Sequence, residues 1–275
     1  MTVALGLWFA FGVGVADYHG GYIAKRSEAM ATVATALIAG IAVMVALLVV
    51  VESAFVGADV VLGVLSGSFI GFALASLYHG MSAASAAVVA PITATLASLI
   101  PFGWGLATGA SLPGLGIVGA GVAFAGLVLS TVSPELGDRV RVGILWGLIS
   151  GLCFGASLTL LGETSETSGL WPAVTQRSTA FVALAVTATA RGLPFVVPRS
   201  LRARAAFSGA IGATAIAAFT IGSQRGSLAE LAAINALAPG ITAVLSSIFD
   251  GHAMRWWQAV GVVTCVGGVA LIGVA

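Results

Sequence analysis

The twenty residues 31–50, ATVATALIAGIAVMVALLVV, contain no charged side chain. A helix of about 20 residues crosses the roughly 30 Å hydrocarbon core of a bilayer, because each residue advances the helix by about 1.5 Å. Lipid offers the backbone no hydrogen-bond partner, so a run of this kind satisfies its N–H and C=O groups internally as a helix. The stretch therefore predicts a transmembrane helix.

The rest of the chain has the same character. Of its 275 residues, 59% are hydrophobic and only 8% are charged. A water-soluble domain carries about 25% charged residues, since its surface must face water. This composition excludes a soluble enzyme, a nucleic-acid-binding protein and a disordered chain, and it predicts a protein surrounded mostly by lipid.

Polar residues, glycines and prolines divide the chain into ten apolar segments. Ten helices of about 20 residues would use about 200 residues and leave only short loops. We therefore expect an all-α integral membrane protein with ten transmembrane helices and no soluble domain. The predicted spans are 2–18, 30–51, 60–78, 83–103, 113–132, 142–162, 171–190, 206–223, 228–249 and 256–274.

Small residues recur at four-residue spacing within two of these spans. Because helices in lipid associate through close packing of small side chains, such a row predicts a helix–helix contact face. The rows are Gly63, Gly67 and Gly71 in the third span, and Gly147, Gly151 and Gly155 in the sixth.

One segment of the sequence occurs twice. Residues 90–94, APITA, lie in the fourth span and return with one inserted glycine as residues 238–243, APGITA, in the ninth. The pairs Leu7-Trp8 and Leu145-Trp146 give a weaker echo in the first and sixth spans. The simplest interpretation is two five-helix repeats, residues 1–136 and 137–275. An odd number of helices would invert the second repeat in the membrane, as in many transporters.

Several motifs resemble those of a known family. Residues 14–21, GVADYHGG, followed by Lys25 and Arg26, are similar to the start of some bacterial members of the drug/metabolite transporter superfamily. The two proline segments and residues 258–261, QAVG, resemble its EamA-type branch. One departure is the Gly-Glu pair that relatives carry before helices five and ten, because Gly109-Ala110 and Gly251-His252 stand there.

This resemblance implies a secondary transporter in the cell membrane, plasma or inner. The two halves would alternately open a central cavity, formed mainly by helices 1, 3, 4, 6, 8 and 9, to either side. The substrate would be a small organic metabolite or a drug-like molecule, with a coupling proton or ion as a further partner.

The basic residues are distributed unevenly among the loops. Cytoplasmic loops are rich in Lys and Arg. The even-numbered loops hold Arg225, and Arg177 lies just inside the seventh span. The odd-numbered loops hold the other nine basic residues: Lys25, Arg26, Arg139, Arg141, Arg191, Arg199, Arg202, Arg204 and Arg255. This bias predicts cytoplasmic odd loops and both termini outside, although the family is usually described with both termini inside.

Arg177 is the first candidate for a substrate-binding residue, with Gln176 beside it, a few residues after Trp171-Pro172. A charge at membrane depth is costly, so an ionisable residue there indicates function. The forked guanidinium suits a carboxylate or another anionic group of a substrate. The alternative is that Arg177 reaches the membrane interface or pairs with Glu163 or Glu166.

Asp17 and Asn235 are the next candidates. Asp17 lies near the end of the first span and could bind a cation or carry a coupling proton, or it could pair with Lys25 or Arg26. Asn235 lies within the ninth span, four residues before Pro239. It would line the cavity or form a hydrogen bond between helices.

The two proline segments supply further candidates. Pro91 and Pro239 each remove a backbone donor within a span, and Thr93 and Thr242 lie beside them. Breaks at matching places in two halves often mark a transporter's binding site, but either proline could equally be a structural kink. Trp8 and Tyr78 would supply aromatic walls for an amphipathic substrate or act as interface anchors.

No catalytic motif appears in the sequence: it has no P-loop, no HExxH and no GxSxG. We therefore predict a protein that is not an enzyme, with no cofactor, no metal and no nucleic-acid partner. A channel, a membrane-embedded enzyme or a structural membrane protein remains the alternative to a transporter. One chain would contain both halves, so either a monomer or a homodimer is compatible with the sequence.

Overall fold

The computed structural model describes residues 1–84, 86–131, 139–251 and 254–275, without the side chains of residues 78, 82, 86 and 87, and every regular element in these ranges is a helix. A 3₁₀ turn, Glu166–Ser168, precedes α7, and a second 3₁₀ turn, Asn235–Leu237, connects α9 to α10. The α-helices are α1 (Thr2–Ala24), α2 (Ala29–Val50), α3 (Gly57–Ala83), α4 (Ala86–Ala107), α5 (Gly114–Thr131), α6 (Val140–Gly162), α7 (Trp171–Ala190), α8 (Arg199–Arg225), α9 (Leu228–Ile234), α10 (Ala238–Asp250) and α11 (Trp256–Gly273).

Counted over the described residues, eight segments are long and apolar enough to cross a membrane. One of them, Leu228–Asp250, joins α9, the 3₁₀ turn and α10 without a loop. The protein is therefore a multi-pass membrane protein. Helices α1 and α7 are of similar length but contain Asp17 and Arg177, and they are not among the eight. Ten transmembrane helices stay a prediction for that reason.

Several predicted spans were too short, most of all at the end of α1 and at the start of α8. Helix α1 continues to Ala24, beyond the predicted end at residue 18, and α8 begins at Arg199, before the predicted start at residue 206. The polar side chains at these helix ends led us to predict loops there from the sequence. A helix satisfies its own backbone, however, and long basic side chains at its end can extend toward water.

The helix contacts follow the same scheme in both halves. Helix α1 packs on α8 and on the α9–α10 segment, while α6 packs on α3 and on α4. Helix α2 packs on α8, and in the corresponding way α7 packs on α3. The last helices of the two halves, α5 and α11, pack on each other. In each of these pairs a helix of one half packs on a helix of the other half. We call this the exchange of helix partners, and it is what two related halves would produce.

A glycine with positive φ follows the fourth segment of each half. Gly109 follows α4 with φ of 104°, and Gly251 follows α10 with φ of 68°. Glycine adopts this left-handed conformation at no steric cost, whereas other residues are strained by it. The predicted correspondence between these two positions agrees with their shared backbone geometry.

Both predicted glycine rows are confirmed as packing faces. A Cβ on Gly67 would collide with the backbone carbonyl of Gln176 in α7, and one on Gly63 would collide with Thr175. On α6, a Cβ at Gly151 would lie 2.7 Å from the Cβ of Leu96 in α4. These rows therefore allow the α3–α7 and α6–α4 backbones to approach closely.

The two ends of the bundle differ in packing. At the even-loop end, which carries loops 51–56, 108–113, 163–170 and 226–227, a buried apolar cluster includes Phe9, Leu161, Leu170, Phe219 and Leu231. At the opposite, odd-loop end, no residue of α10 from Ile241 to Asp250 is fully buried. The bundle is thus densely packed at the even-loop end, whereas α10 is loosely packed at the odd-loop end.

Polar contacts reinforce the even-loop end. Arg225 forms an ion pair of 2.8 Å with Glu166, and Gln224 donates to the backbone carbonyl of Gly169 at 2.9 Å. The buried carboxylate of Asp59 accepts hydrogen bonds from the backbone and hydroxyl of Ser165. The loop 163–170 is therefore tied both to α8 and to the start of α3.

Candidate functional site

Arg177 lies inside the bundle between α7, α2 and α8. Its Nη2 donates to the backbone carbonyl of Gly212 at 2.6 Å, whereas its Nε is buried without an acceptor. A Cβ at Gly40 of α2 would lie only 2.9 Å from Nη1, so small residues make room for the guanidinium. An unsatisfied buried donor costs about 1–3 kcal/mol, which a bound acceptor would recover.

Arg177 does not pair with the acids that the sequence offered as partners. Within the described ranges the ion pair found is Arg225–Glu166, and Glu163 instead accepts a hydrogen bond of 2.7 Å from the Trp104 Nε1. The positive charge of Arg177 therefore has no carboxylate beside it among the described residues.

Asp17 lies on the inner face of α1. Residues three to four positions apart share a helix face, and Asp17 follows Val13 by four residues and Ala10 by seven. Ala10 is fully buried, and Val13 packs against two buried apolar clusters, one that contains Phe9 and one that contains Ala10. Asp17 is nevertheless exposed.

Neither Lys25 nor Arg26 pairs with Asp17. Arg26 instead stacks on Tyr22 and donates to its backbone carbonyl at 2.9 Å. No hydrogen bond or ion pair to Asp17 is found over residues 1–84, 86–131, 139–251 and 254–275. A carboxylate that is open to water and free of protein partners can bind a cation or exchange a proton.

One glycine of α8 lies between α1 and the Arg177 side chain. Gly212 stands at the middle of α8, and a Cβ built on it would lie 3.4 Å from the Cβ of Ala16 and 3.8 Å from the Nη2 of Arg177. Ala16 is the chain neighbour of Asp17. Helix α1, through Ala16, and the guanidinium of α7 therefore approach the same glycine, which stands about halfway along α8.

Gln176 belongs to a different contact. Its Nε2 donates to Ser66 Oγ of α3 at 2.8 Å and to Ser157 Oγ of α6 at 3.2 Å. The two hydroxyls also reach each other's backbone carbonyls, both at 2.8 Å, and all three residues are buried. The structure separates Gln176 from Arg177, because successive helix residues point about 100° apart.

Asn235 forms a hydrogen bond between helices. It begins the 3₁₀ turn, and its Nδ2 donates to Ser98 Oγ of α4 at 3.1 Å, while its Oδ1 is buried without a donor. Of the two alternatives from the sequence, the structure favours the interhelical bond. The free Oδ1 leaves one acceptor that a substrate or water can use.

The repeated threonines form equivalent contacts. Thr93 donates to the backbone carbonyl of Gly147 at 3.3 Å, and Thr242 donates to that of Gly14 at 2.9 Å. Each bond ties the fourth segment of one half to the first helix of the other half. Both hydroxyls therefore hold the fold together.

The expected matching break at Pro91 and Pro239 was wrong for Pro91. Helix α4 runs through Pro91 without interruption, whereas the segment in the second half changes to a 3₁₀ turn at Asn235–Leu237. Pro239 consequently lies in the first turn of α10, where its missing N–H would be unpaired in any case.

Trp8 lies on the outside of the bundle. It is 43% exposed, and its Nε1 donates to Thr214 Oγ1 at 3.3 Å across the α1–α8 contact. This position agrees with the interface-anchor alternative. Tyr78 was the other predicted aromatic wall, and its side chain lies outside the described residues.

The sequence did not indicate Gly212, Gly40 or Ser98 as parts of a site. Their positions matter only through the neighbouring helix, and glycines and serines are frequent throughout the chain. The charges could be found from sequence, but the small residues that accommodate them could not.

The fold and this site define a class: multi-pass helical membrane proteins that keep charged groups midway across the bundle. Residues 141–274 match the model of the EamA-like transporter family. This match in the second half confirms the resemblance to the EamA type of the drug/metabolite transporter superfamily. The family is one of small-molecule transporters in membranes and is not an enzyme family.

A solved structure supports the fold over the whole chain. It is titled "Crystal structure of protein" and is similar with a TM-score of 0.78 at 18% identity, covering 99% of this chain and 97% of its own. At this identity the likeness shows the fold alone. No curated protein matches the sequence.

Proposed function

We propose that this protein is a secondary transporter that moves a small organic molecule across the cell membrane by alternating access. The observation that carries the proposal is the guanidinium of Arg177, which lies inside the bundle with its Nε buried and without an acceptor. Asp17, on the inner face of α1, likewise has no partner among the described residues. A binding site needs this combination of costly, unsatisfied polar groups.

Arg177 would bind an anionic group of the substrate. Its buried Nε lacks an acceptor, and a carboxylate or phosphate matches the guanidinium fork. Asp17 would hold a coupling proton or a cationic group of the substrate, since its carboxylate is exposed and unpartnered among the described residues. Asn235 would add one acceptor on the second half.

The packing difference between the two ends supports alternating access. The even-loop end is closed by a buried apolar cluster, while the inner face of α1 is exposed at the odd-loop end. If the basic odd loops are cytoplasmic, this arrangement corresponds to an inward-open state. The exchange of helix partners between the halves supports two inverted repeats, 1–136 and 137–275, that rock around the centre.

The test is a ligand-stabilisation screen of the purified protein against amino acids, nucleosides, sugars and cationic drugs. A ligand that binds the folded state raises its unfolding temperature. We expect at least one compound with an anionic group to stabilise the wild type and to lose its effect in Arg177→Gln. Arg199→Gln, which removes an exposed charge on α8, is the control and should respond as the wild type does.

Two results would contradict the proposal. One is a stabilising compound that acts equally on the wild type, Arg177→Gln and Asp17→Asn. The other is ion conductance without saturable exchange in proteoliposomes, which would favour a channel.

A further inference from the structure

A second cleft lies away from the proposed transport site, at the odd-loop end between α1, α8 and α10. Its volume is about 560 Å³. Its walls carry Tyr18, His19, Tyr22, Arg204, Phe249 and Asp250. Tyr18, His19 and Tyr22 recur at helical spacing on the face of α1 opposite Asp17. The cleft therefore opens on the outside of the bundle and not toward the centre.

Two guanidinium groups lie on one aromatic ring in this cleft. The Arg204 Cζ lies 3.4 Å from the centroid of the Tyr22 ring, and the Arg26 Cζ lies 3.6 Å from the same centroid. Two planar groups at these distances can only occupy opposite faces of the ring. The ring thus holds two positive charges close together, an arrangement that an anion would stabilise.

Neither guanidinium forms an ion pair within the described ranges. Arg204 uses its Nε to donate to His19 Nδ1 at 2.8 Å. Asp250 lines the same cleft, and its Oδ1 accepts a hydrogen bond of 3.2 Å from the Tyr18 hydroxyl. The terminal nitrogens of Arg204 therefore keep donors for a ligand.

The remaining wall of the cleft is apolar. Val15 forms its floor, and Leu245 and Phe249 of α10 form one side. A cationic end beside an apolar groove matches an amphiphile with an anionic headgroup. Basic pockets between transmembrane helices bind such headgroups, and surface phosphates of the bilayer are the nearest anions to an outward face.

We propose that this cleft binds an anionic phospholipid of the surrounding membrane. The lipid phosphate lies against the terminal nitrogens of Arg204, with Arg26 contributing charge from the far side of Tyr22. An acyl chain follows Val15, Leu245 and Phe249. Hydroxyl groups of a glycerol headgroup donate to Asp250. This site does not depend on the proposed transport function, because Asp17 and Arg177 lie on other faces.

The test measures the unfolding temperature of the full chain in a neutral detergent, titrated with phosphatidylglycerol, phosphatidylcholine or inorganic phosphate. Phosphatidylglycerol should stabilise the wild type more than the other two. Its apparent affinity should fall about tenfold or more in Arg204→Gln, since a charge-assisted forked contact is lost. Arg199→Gln removes the same charge from the same helix end outside the cleft and should keep the wild-type affinity.

A further variant covers the case in which Arg204→Gln does not fold. Arg204→Lys keeps the charge but loses the fork, so it should bind phosphatidylglycerol several-fold more weakly than the wild type. Wild-type affinity in Arg204→Lys overturns the proposal, as does an equal loss in Arg204→Gln and Arg199→Gln. Equal stabilisation by phosphatidylcholine removes the charge requirement, and equal stabilisation by inorganic phosphate removes the lipid.

Discussion

The contact between α3 and α6 and the contact between α1 and α8 each join a helix of residues 1–136 to a helix of residues 137–275, yet their polar groups are satisfied to different degrees. In the first, Ser66, Ser157 and Gln176 satisfy one another in a buried network. Beside the second, Asp17 has no partner among the described residues and one N–H of Arg177 is buried without an acceptor. A satisfied network holds helices together, whereas unsatisfied charges create a place that a ligand can complete.

The largest effect on stability is expected from Gly67→Ala in the first contact region. The added methyl group would meet the backbone carbonyl of Gln176 and lie 2.7 Å from the Cβ of Thr179. Backbone cannot move as a flexible side chain does, so we expect a loss of about 1–3 kcal/mol in the free energy of unfolding. Gly103→Ala is a matched control, since a Cβ there meets nothing within 4 Å.

Chemical unfolding of the two variants in detergent measures this difference. Equal stability of Gly67→Ala and Gly103→Ala would mean that α3 and α7 are not closely packed at Gly67.

A smaller loss is expected from Ser157→Ala. This variant removes one hydroxyl from the network and leaves the Gln176 amide with one partner fewer. We expect about 1–2 kcal/mol from such a loss of a buried hydrogen bond. Ser68→Ala on α3 is the control, because that hydroxyl is exposed and bonds only to its own helix.

The α3–α6 contact should serve stability and not transport. Ser157→Ala should therefore keep the ligand affinity of the wild type. A large change in ligand affinity at unchanged stability would reverse the roles assigned to the two contacts.

Gly212→Ala probes the second contact with the same change that Gly67→Ala makes beside the first. The methyl group fits at ordinary contact distances, 3.4 Å from Ala16 and 3.8 Å from Arg177. We expect less than about 0.5 kcal/mol of destabilisation, as is usual for a tolerated substitution. The methyl group would, however, occupy space beside the Arg177 guanidinium, and ligand affinity should fall several-fold in a thermal-shift titration.

The smallest effect on stability is expected from Arg225→Gln at the even-loop end. The Arg225 and Glu166 side chains are 42% and 61% exposed, so water screens their ion pair. We expect a change of less than about 1 kcal/mol in the free energy of unfolding. A larger loss would show that this ion pair, and not the apolar cluster around Phe9 and Phe219, closes that end.

Much of the fold was predictable because lipid imposes strong constraints on the chain. Apolar runs such as residues 31–50 must form helices, and α2, α7 and α11 begin and end within a residue or so of the predicted limits. The errors lie where a polar residue or a proline suggested the end of a helix that in fact continues. Asp17 and His19 suggested an early end of α1, and Pro91 suggested a break that α4 does not contain.

The site was predictable only in its charged residues. Asp17 and Arg177 were identifiable because charges at membrane depth are costly. Gly212, which accepts the hydrogen bond of Arg177, was not, because a glycine gives no signal until the partner helices are known. Gln176 was grouped with Arg177 by adjacency in sequence, although the two side chains leave the helix in different directions and join different contacts.

The central claim is that Arg177, beside Gly212, binds the transported molecule. Counterflow of a radiolabelled compound from the stabilisation screen, measured in proteoliposomes, tests it most directly. We predict saturable counterflow in the wild type and in Arg199→Gln, and a loss of about a hundredfold or more in Arg177→Gln, the size expected when a charged contact to the substrate is removed. Wild-type counterflow in folded Arg177→Gln would contradict the account.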